Sequence, residues 1–255
     1  MINLNNKIIV ITGGNGFLGS EMVREAKQAG ATVVSADIVS KKENGVDQFT
    51  GDLTEPDTVK ALIDYVIEKY GKIDGWVNNA YPRTDDWGSK LPDVSYDSWK
   101  SNVDMHMNSY FLCCQQVLEK MKQQGSGSVV NLASIYGFLG ADFSLYEGTS
   151  MTMPAAYSAI KGGIINLTRY LTSYYGKSGL RINTISPGGI YDNQPEIFVD
   201  RYNNKCPTGR MGDKNEIAFE KFNLEKSLKI KIPIIATNEV YYLTPDMHEA
   251  HDALI

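Results

Sequence analysis

The run Lys7-Ile8-Ile9-Val10-Ile11-Thr12 has no polar alternation, and it passes directly into Gly13-Gly14-Asn15-Gly16-Phe17-Leu18-Gly19. Helix-forming residues follow from Ser20 to Ala29. A β-branched strand without a polar face is buried on both sides, as in a parallel sheet covered by helices. Glycines spaced G-x-x-G-x-x-G between strand and helix let the backbone approach a pyrophosphate, whose charge then sits at the helix N-terminus. The opening of the chain therefore predicts the first βα unit of a dinucleotide-binding sheet.

The alternation continues. Thr32–Ala36 reads as a second buried strand and ends at Asp37. An acid about 20 residues past the glycines accepts hydrogen bonds from the ribose hydroxyls of NAD and repels the 2′-phosphate of NADP. No arginine or lysine stands in the glycine loop or directly beside Asp37. NAD is therefore expected in preference to NADP; a solvated acid at a strand end is the plainer alternative. Gln48–Leu53 reads as a third strand, with Thr54 as the cap of a helix that holds apolar spacing from Val59 to Tyr70 and stops at Gly71. Lys72–Ala80 is a fourth strand ending in two asparagines. The expected fold is α/β, a doubly wound parallel sheet of the Rossmann type in three α/β/α layers, with its ligand at the strands' carboxyl ends.

Bulk properties narrow the function. A chain of 255 residues with 42% hydrophobic content suits one large domain. A net charge of −5 offers no basic surface for nucleic acid. Cys113, Cys114 and Cys206 form no disulfide framework, and His106, His248 and His251 have no metal-ligand spacing, so no metal is expected. The N-terminus lacks the pattern of a signal peptide, and no apolar run reaches the roughly 20 residues needed to span a bilayer. A cytoplasmic protein without a membrane partner is expected.

The second half carries the chemistry. After a polar loop from Tyr81 to Asp97, one long amphipathic helix is expected through Val103, Met107, Tyr110, Phe111, Cys114, Val117, Leu118 and Met121. Ser128–Ser134 is a fifth strand and Arg181–Ser186 a sixth, the latter ending in Pro187-Gly188-Gly189. Between them, Tyr157 and Lys161 are four residues apart on a helix and share one face. A free tyrosine holds its proton to about pH 10, and a nearby ammonium favours the phenolate and lowers that value. Tyr157 then exchanges a proton with a carbonyl or alcohol near neutral pH. An exposed Tyr–Lys pair is the plainer alternative.

With these pieces in order, residues 5–218 resemble the short-chain dehydrogenase/reductase family. The motifs that carry the resemblance are Thr12-Gly13…Gly16…Gly19, Asp37, Asp52-Leu53, Asn78-Asn79-Ala80, Ser134, Tyr157…Lys161 and Pro187-Gly188. The resemblance implies that Tyr157 is the proton donor or acceptor, that Lys161 lowers its pKa and grips the nicotinamide ribose, and that Ser134 orients the substrate oxygen. It places the glycine loop, with Asn15, Phe17 and Leu18, against the cofactor. Asp52 and Leu53 border the adenine, Asn79 and Ala80 line the cofactor cleft, and Pro187 to Ile190, with Gly188, cover the nicotinamide.

Three departures from the family stand out. Phe17 occupies a position where the usual T-G-x-x-x-G-x-G pattern has glycine. His106 aligns with the family's catalytic asparagine, which fixes a helix bend and holds a water leading to the lysine; for His106 both a catalytic role and plain packing stand open. Ser134 and Tyr157 are separated by a longer interval than is usual, so the loop around Tyr146–Pro154 is expected to bulge over the cleft mouth. That loop, with Ser186–Pro195, resembles the flagellin-modification oxidoreductases, which act in pathways to surface sugars. Its polar side chains Tyr146, Glu147, Thr149, Ser150 and Thr152 fit a hydroxyl-rich or phosphorylated sugar. An NAD-dependent oxidoreductase of a sugar derivative is one expectation; an inert nucleotide-binding protein or chimeric chain is the other.

The chain divides in sequence into residues 1–218 and an atypical tail, 219–255, where the family would build its last helix and strand. The tail resembles a fragment of the bacterial replicative DNA polymerase α-subunit and reads as a fusion or assembly error at Ala218. It is too short to rebuild that domain, so no activity is carried over and His248 and His251 stay unassigned. Ile232–Ala236 is expected as a substitute edge strand, with Pro233 tolerated there. Lower stability is the expected consequence, and the tail puts a homo-oligomer of the family type in doubt.

Overall fold

In the computed structural model, which describes residues 3–41 and 43–216, Val10 lies between Val34 and Trp76 at the centre of a parallel sheet. The strands are β1 (Ile8–Thr12), β2 (Thr32–Asp37), β3 (Asp47–Thr50), β4 (Gly75–Asn78), β5 (Gly127–Leu132) and β6 (Leu180–Ile185). Their order is β3-β2-β1-β4-β5-β6, every pairing parallel. This is the dinucleotide-binding order, and its direction reverses between β1 and β4, where such sheets open a crevice.

The unbroken apolar runs serve two faces because successive side chains alternate. Ile11, Val33 and Ala31 pack with Val23 of α1 (Phe17–Gln28) on one side. On the other, Val10, Val34, Ala36, Trp76 and Val129 meet α2 (Pro56–Tyr70), α4 (Ser109–Gln124) and α5 (Ala155–Tyr175) through Leu62, Leu118 and Leu171. The remaining helices are α3 (Tyr96–Asn102) and α6 (Glu196–Lys205). One polar rung crosses this core. Trp76 Nε1 donates to Asn78 Oδ1 (2.7 Å), Asn78 Nδ2 to Asn131 Oδ1 (2.8 Å) and Asn131 Nδ2 to Thr168 Oγ1 (2.9 Å). Each buried amide thus meets a partner, as the low interior dielectric requires.

Several boundaries differ from expectation. α1 starts at Phe17, not Ser20, because extended Gly16 caps it. β3 stops at Thr50 because its partner β2 ends at Asp37, the residue opposite. Glu55, not Thr54, is the N-cap of α2; Thr54 gives its N–H and hydroxyl to the Asp52 carboxylate instead (2.9 and 2.8 Å). Left-handed Gly71 ends the helix as expected. The single long helix is interrupted: Val103–Asn108 forms a π-helical turn between α3 and α4. The insertion of such a wide turn redirects the side chains that follow. The expectations for the tail, including the strand Ile232–Ala236 and the two histidines His248 and His251, lie outside the described residues.

Candidate active site

The carboxyl ends of the strands open into one cleft of about 770 Å³. Strand order places Gly13, Gly16, Phe17, Leu18, Asp37, Asp52 and Leu53 toward the β1–β3 side, and Asn79 and Ala80 at the switch point. Ser134, Tyr157, Lys161, Pro187, Gly188 and Ile190 line the β5–β6 side. Gly13 adopts a φ of +62°, and a Cβ there would stand 2.8 Å from the Ala80 Cα, so the two strand ends touch through backbone.

Three sequence-predicted cofactor residues stand behind the cleft wall. Thr12 is buried, and its Oγ1 accepts from the Asn79 and Ala80 N–H groups (3.0 and 3.1 Å). Asn15 donates its N–H to Asp37 Oδ2 (3.0 Å) and its amide to Val39 O and Gln48 Oε1 (2.6 and 2.8 Å). Gly19 lies so near the loop that a Cβ would fall 2.0 Å from Gly13 O. These residues shape the loop rather than border the cleft. Asp37 does border it, and it also accepts the Val39 N–H (3.3 Å), which holds its carboxylate at the strand end.

The polar centre is built by three elements. Ser134 follows β5 and caps a short 3₁₀ turn, Ile135–Gly137, by accepting the Tyr136 N–H at 3.2 Å. Tyr157 is in the first turn of α5, where Pro154 ends the long loop. Lys161 is one turn further and buried; its Nζ donates to Leu132 O at 2.7 Å and lies 3.2 Å from His106 Nε2. The rings of Tyr81, Tyr110 and Tyr157 surround that Nζ at 5.7, 5.5 and 5.6 Å from their centroids.

Burial raises the Tyr157 pKa, and the Ser134 hydroxyl beside the phenol opposes that rise. The lysine itself is the more perturbed group, pushed down to about 7 by burial. His106 is completely buried outside the cleft lining, and burial, then the lysine's charge, holds its pKa well below the ordinary value. A neutral imidazole that accepts at Nε2 carries its proton on Nδ1, which has no hydrogen-bond partner among the described residues.

The long loop reaches the cleft with Tyr146 and Thr152, as expected, but also with Met151, Met153 and Pro154. Glu147, Thr149 and Ser150 do not line it; the Thr149 hydroxyl turns back to Tyr146 O at 2.7 Å. Phe198 and Tyr202 of α6 pack with Tyr146 and Met211 behind the loop. Lys205 ties α6 to Asp142, and Arg201 ties it to Glu147 O. Tyr81, Arg83, Tyr136, Phe198, Tyr202 and Met211 are cleft residues that sequence reasoning missed. Tyr81 and Arg83 had one signal, their place directly after Asn79-Ala80 at a strand's carboxyl end; the others are brought in by tertiary packing. Among the described residues no cluster of metal-ligating side chains occurs and no helix is long and apolar enough to cross a membrane.

A phenol, a hydroxyl and a buried amine facing one cleft suit proton exchange with a carbonyl or alcohol oxygen. Comparison with known proteins agrees. The family model for short chain dehydrogenases matches residues 7–194. Post-translational flagellin modification protein A of Campylobacter coli is 33% identical over 227 residues, 84% of this chain and 89% of that protein. 7alpha-hydroxysteroid dehydrogenase of Bacteroides fragilis is 30% identical over 86% of each chain. A short chain dehydrogenase from Leptospira borgpetersenii, solved with bound NAD+, superposes with a TM-score of 0.80 at 31% identity over 89% of both chains. The resemblance of residues 219–255 to a DNA polymerase fragment finds no support in these matches. The chain belongs to the short-chain dehydrogenase/reductase family and is an NAD(P)-dependent oxidoreductase acting on CH–OH groups.

Proposed function

We propose that the protein uses NAD in preference to NADP to oxidise a secondary alcohol or reduce the corresponding ketone of a sugar derivative, in the formation of surface glycans of the flagellin-modification type. The observation that carries the reading is the convergence of the Ser134 hydroxyl, the Tyr157 phenol and the buried Lys161 amine in one cleft with the glycine loop. The residues present fit a dinucleotide. Gly13 and Gly16 leave a backbone cradle before α1, whose first N–H groups lack intrahelical acceptors. Asp37 offers a fixed carboxylate for ribose hydroxyls and would repel a 2′-phosphate. The related Leptospira enzyme with bound NAD+ supports the same preference.

Nicotinamide, when bound, supplies or accepts the hydride. The protein's own task is one proton. With its pKa raised by burial, Tyr157 keeps that proton on Oη at neutral pH and is set to give it to a carbonyl oxygen during reduction. Ser134 Oγ is the second hydrogen-bonding group for that oxygen as it gains negative charge. In the opposite direction Tyr157 must accept a proton, and an ammonium on Lys161 favours its phenolate. With a pKa of about 7, Lys161 divides between ammonium and amine under physiological conditions. His106 positions Lys161 by accepting from its Nζ.

The sugar direction rests on the Campylobacter relative and on the cleft lining. Tyr136, Tyr146, Thr152 and Tyr202 line the cleft together with Met151 and Met153. Such a wall suits a ring with polar edges and an apolar face. Residues 1–218 form the catalytic unit of this proposal, working in the cytoplasm. Tyr157→Phe tests it: turnover of NAD with a sugar-alcohol panel should fall at least ~100-fold while NADH binding is kept. Turnover that survives removes the assigned mechanism, and binding without turnover on any substrate favours an inert nucleotide binder.

A further inference from the structure

We infer that Arg83 determines specificity by receiving an anionic group, a carboxylate or a phosphate, on the substrate. The inference rests on the oxidoreductase reading above and adds a chemical class to its substrate. Arg83 follows the end of β4 and lines the same cleft as Ser134 and Tyr157. Its guanidinium stands 5.0 Å over the Tyr81 ring, and that ring meets Tyr157 edge-on with centroids 5.8 Å apart. The cation is therefore one aromatic ring away from the proton-transfer group.

Stacking occupies one face of a guanidinium and leaves its N–H edge free. That edge is a planar fork of donors matched to the two oxygens of a carboxylate or phosphate. No ion pair occupies it among the described residues. The neighbouring Asp86 is engaged elsewhere, by the hydroxyls of Thr84 (2.6 Å) and Ser98 (2.8 Å).

The loop that carries Arg83 is held from behind. Thr84 N–H donates to Asn102 Oδ1 at 3.0 Å, and Asn102 Nδ2 donates back to Thr84 Oγ1 at 2.7 Å. Trp87 closes on Tyr81 with ring centroids 5.7 Å apart. The backbone under the cation is thereby fixed before a ligand arrives, which removes part of the entropy of binding.

The other charges of the cleft offer an anion no second partner. Its lining holds three carboxylates, Asp37, Asp52 and Asp192, against the two cations Arg83 and Lys161. Lys161 is buried and committed to Leu132 O and His106. An anionic substrate entering this field needs a local cation, and Arg83 is the one beside Tyr157. The substrate class is thus a hydroxy or keto compound with an acidic group near the reacting carbon, as in a sugar acid or sugar phosphate.

The test titrates the wild type, Arg83→Gln and Arg83→Lys, each loaded with NADH, with glucose 6-phosphate, gluconate and glucose. Binding is read from cofactor fluorescence and from melting temperature, and the melting series is repeated without cofactor. At least one anionic sugar should bind the wild type at least about tenfold tighter than glucose. Arg83→Gln should erase that advantage, Arg83→Lys should keep part of it, and NADH affinity should stay the same in all three. Preference for glucose 6-phosphate or for gluconate identifies the group as phosphate or carboxylate. The inference is overturned by a wild type that does not distinguish the anions from glucose, or by an advantage that survives Arg83→Gln. A loss of NADH affinity in Arg83→Gln also overturns it, because the arginine would then serve the cofactor. Failure of the wild type to bind NADH would overturn the NAD preference proposed above instead, and the cofactor-free melting series would still decide the role of Arg83.

Discussion

The Nζ of Lys161 lies 3.2 Å from Nε2 of His106, and both groups are buried. The π-helical turn Val103–Asn108 presents the imidazole there, and the ring stays neutral because burial and the lysine both oppose its charging. A neutral acceptor favours the ammonium form of Lys161 against the desolvation that pulls its pKa to about 7. His106→Phe should therefore move the Lys161 pKa below 7, whereas His106→Gln, which retains an acceptor, should move it less. An NMR titration of the lysine side chain in the three proteins reads this directly. Superimposable curves would assign His106 to packing alone.

Asp37 takes the N–H groups of Asn15 and Val39 while facing the cleft. Asp37→Ala should weaken NADH binding and relax discrimination against NADPH, by about tenfold in the ratio of dissociation constants. Fluorescence titrations with both cofactors check it. An unchanged ratio would remove the proposed role of the carboxylate.

Gly13 and Gly71 separate two effects of adding a methyl group. Both have positive φ, +62° and +77°, but a Cβ on Gly71 meets nothing within 4 Å while one on Gly13 meets the Ala80 backbone at 2.8 Å. Gly71→Ala should cost about 1 kcal/mol of stability, the ordinary cost of left-handed backbone. Gly13→Ala should cost roughly 3 kcal/mol or more and weaken NADH binding, since the switch point must widen. Denaturant unfolding and NADH titration of the pair provide the comparison.

Asp47 opens edge strand β3 and gathers Lys69 Nζ (2.6 Å), Tyr65 Oη (3.2 Å) and Tyr70 Oη on its Oδ2. Burial works to raise its pKa, but the Lys69 and Tyr70 hydrogen bonds prevail and the net effect lowers it. A carboxylate with a depressed folded-state pKa contributes stability above its unfolded value of about 3.9, and loses it as pH falls through the folded value. Asp47→Asn should cost about 1 kcal/mol near pH 7, a figure reduced by partial exposure, and the difference from wild type should shrink below about pH 4. Urea melts across that pH range measure it; a difference that stays constant with pH would mean the carboxylate's charge contributes nothing.

The layered parallel sheet was legible in the chain itself, because its signals are local. An unalternating Ile8–Thr12 run demands cover on both faces, and glycines between strand and helix leave one kind of loop. The pair Tyr157 and Lys161 was legible for the same reason, since helix geometry alone places them on one face. Tertiary structure decided what surrounds them. Burial is a property of the assembled fold, so the low pKa of Lys161, the raised pKa of Tyr157 and the contact with His106 have no counterpart in residue spacing. The π-helical turn at Val103–Asn108 escaped the periodicity reading because a one-residue shift is lost in an apolar pattern of 3.6 residues per turn. Tyr81 and Arg83 entered the site through the fold of a polar loop, and Phe198 and Tyr202 through the docking of α6. The chain's local chemistry determined which fold forms and which side chains share a helix face, whereas long-range packing determined the dielectric around them and the walls of the cleft.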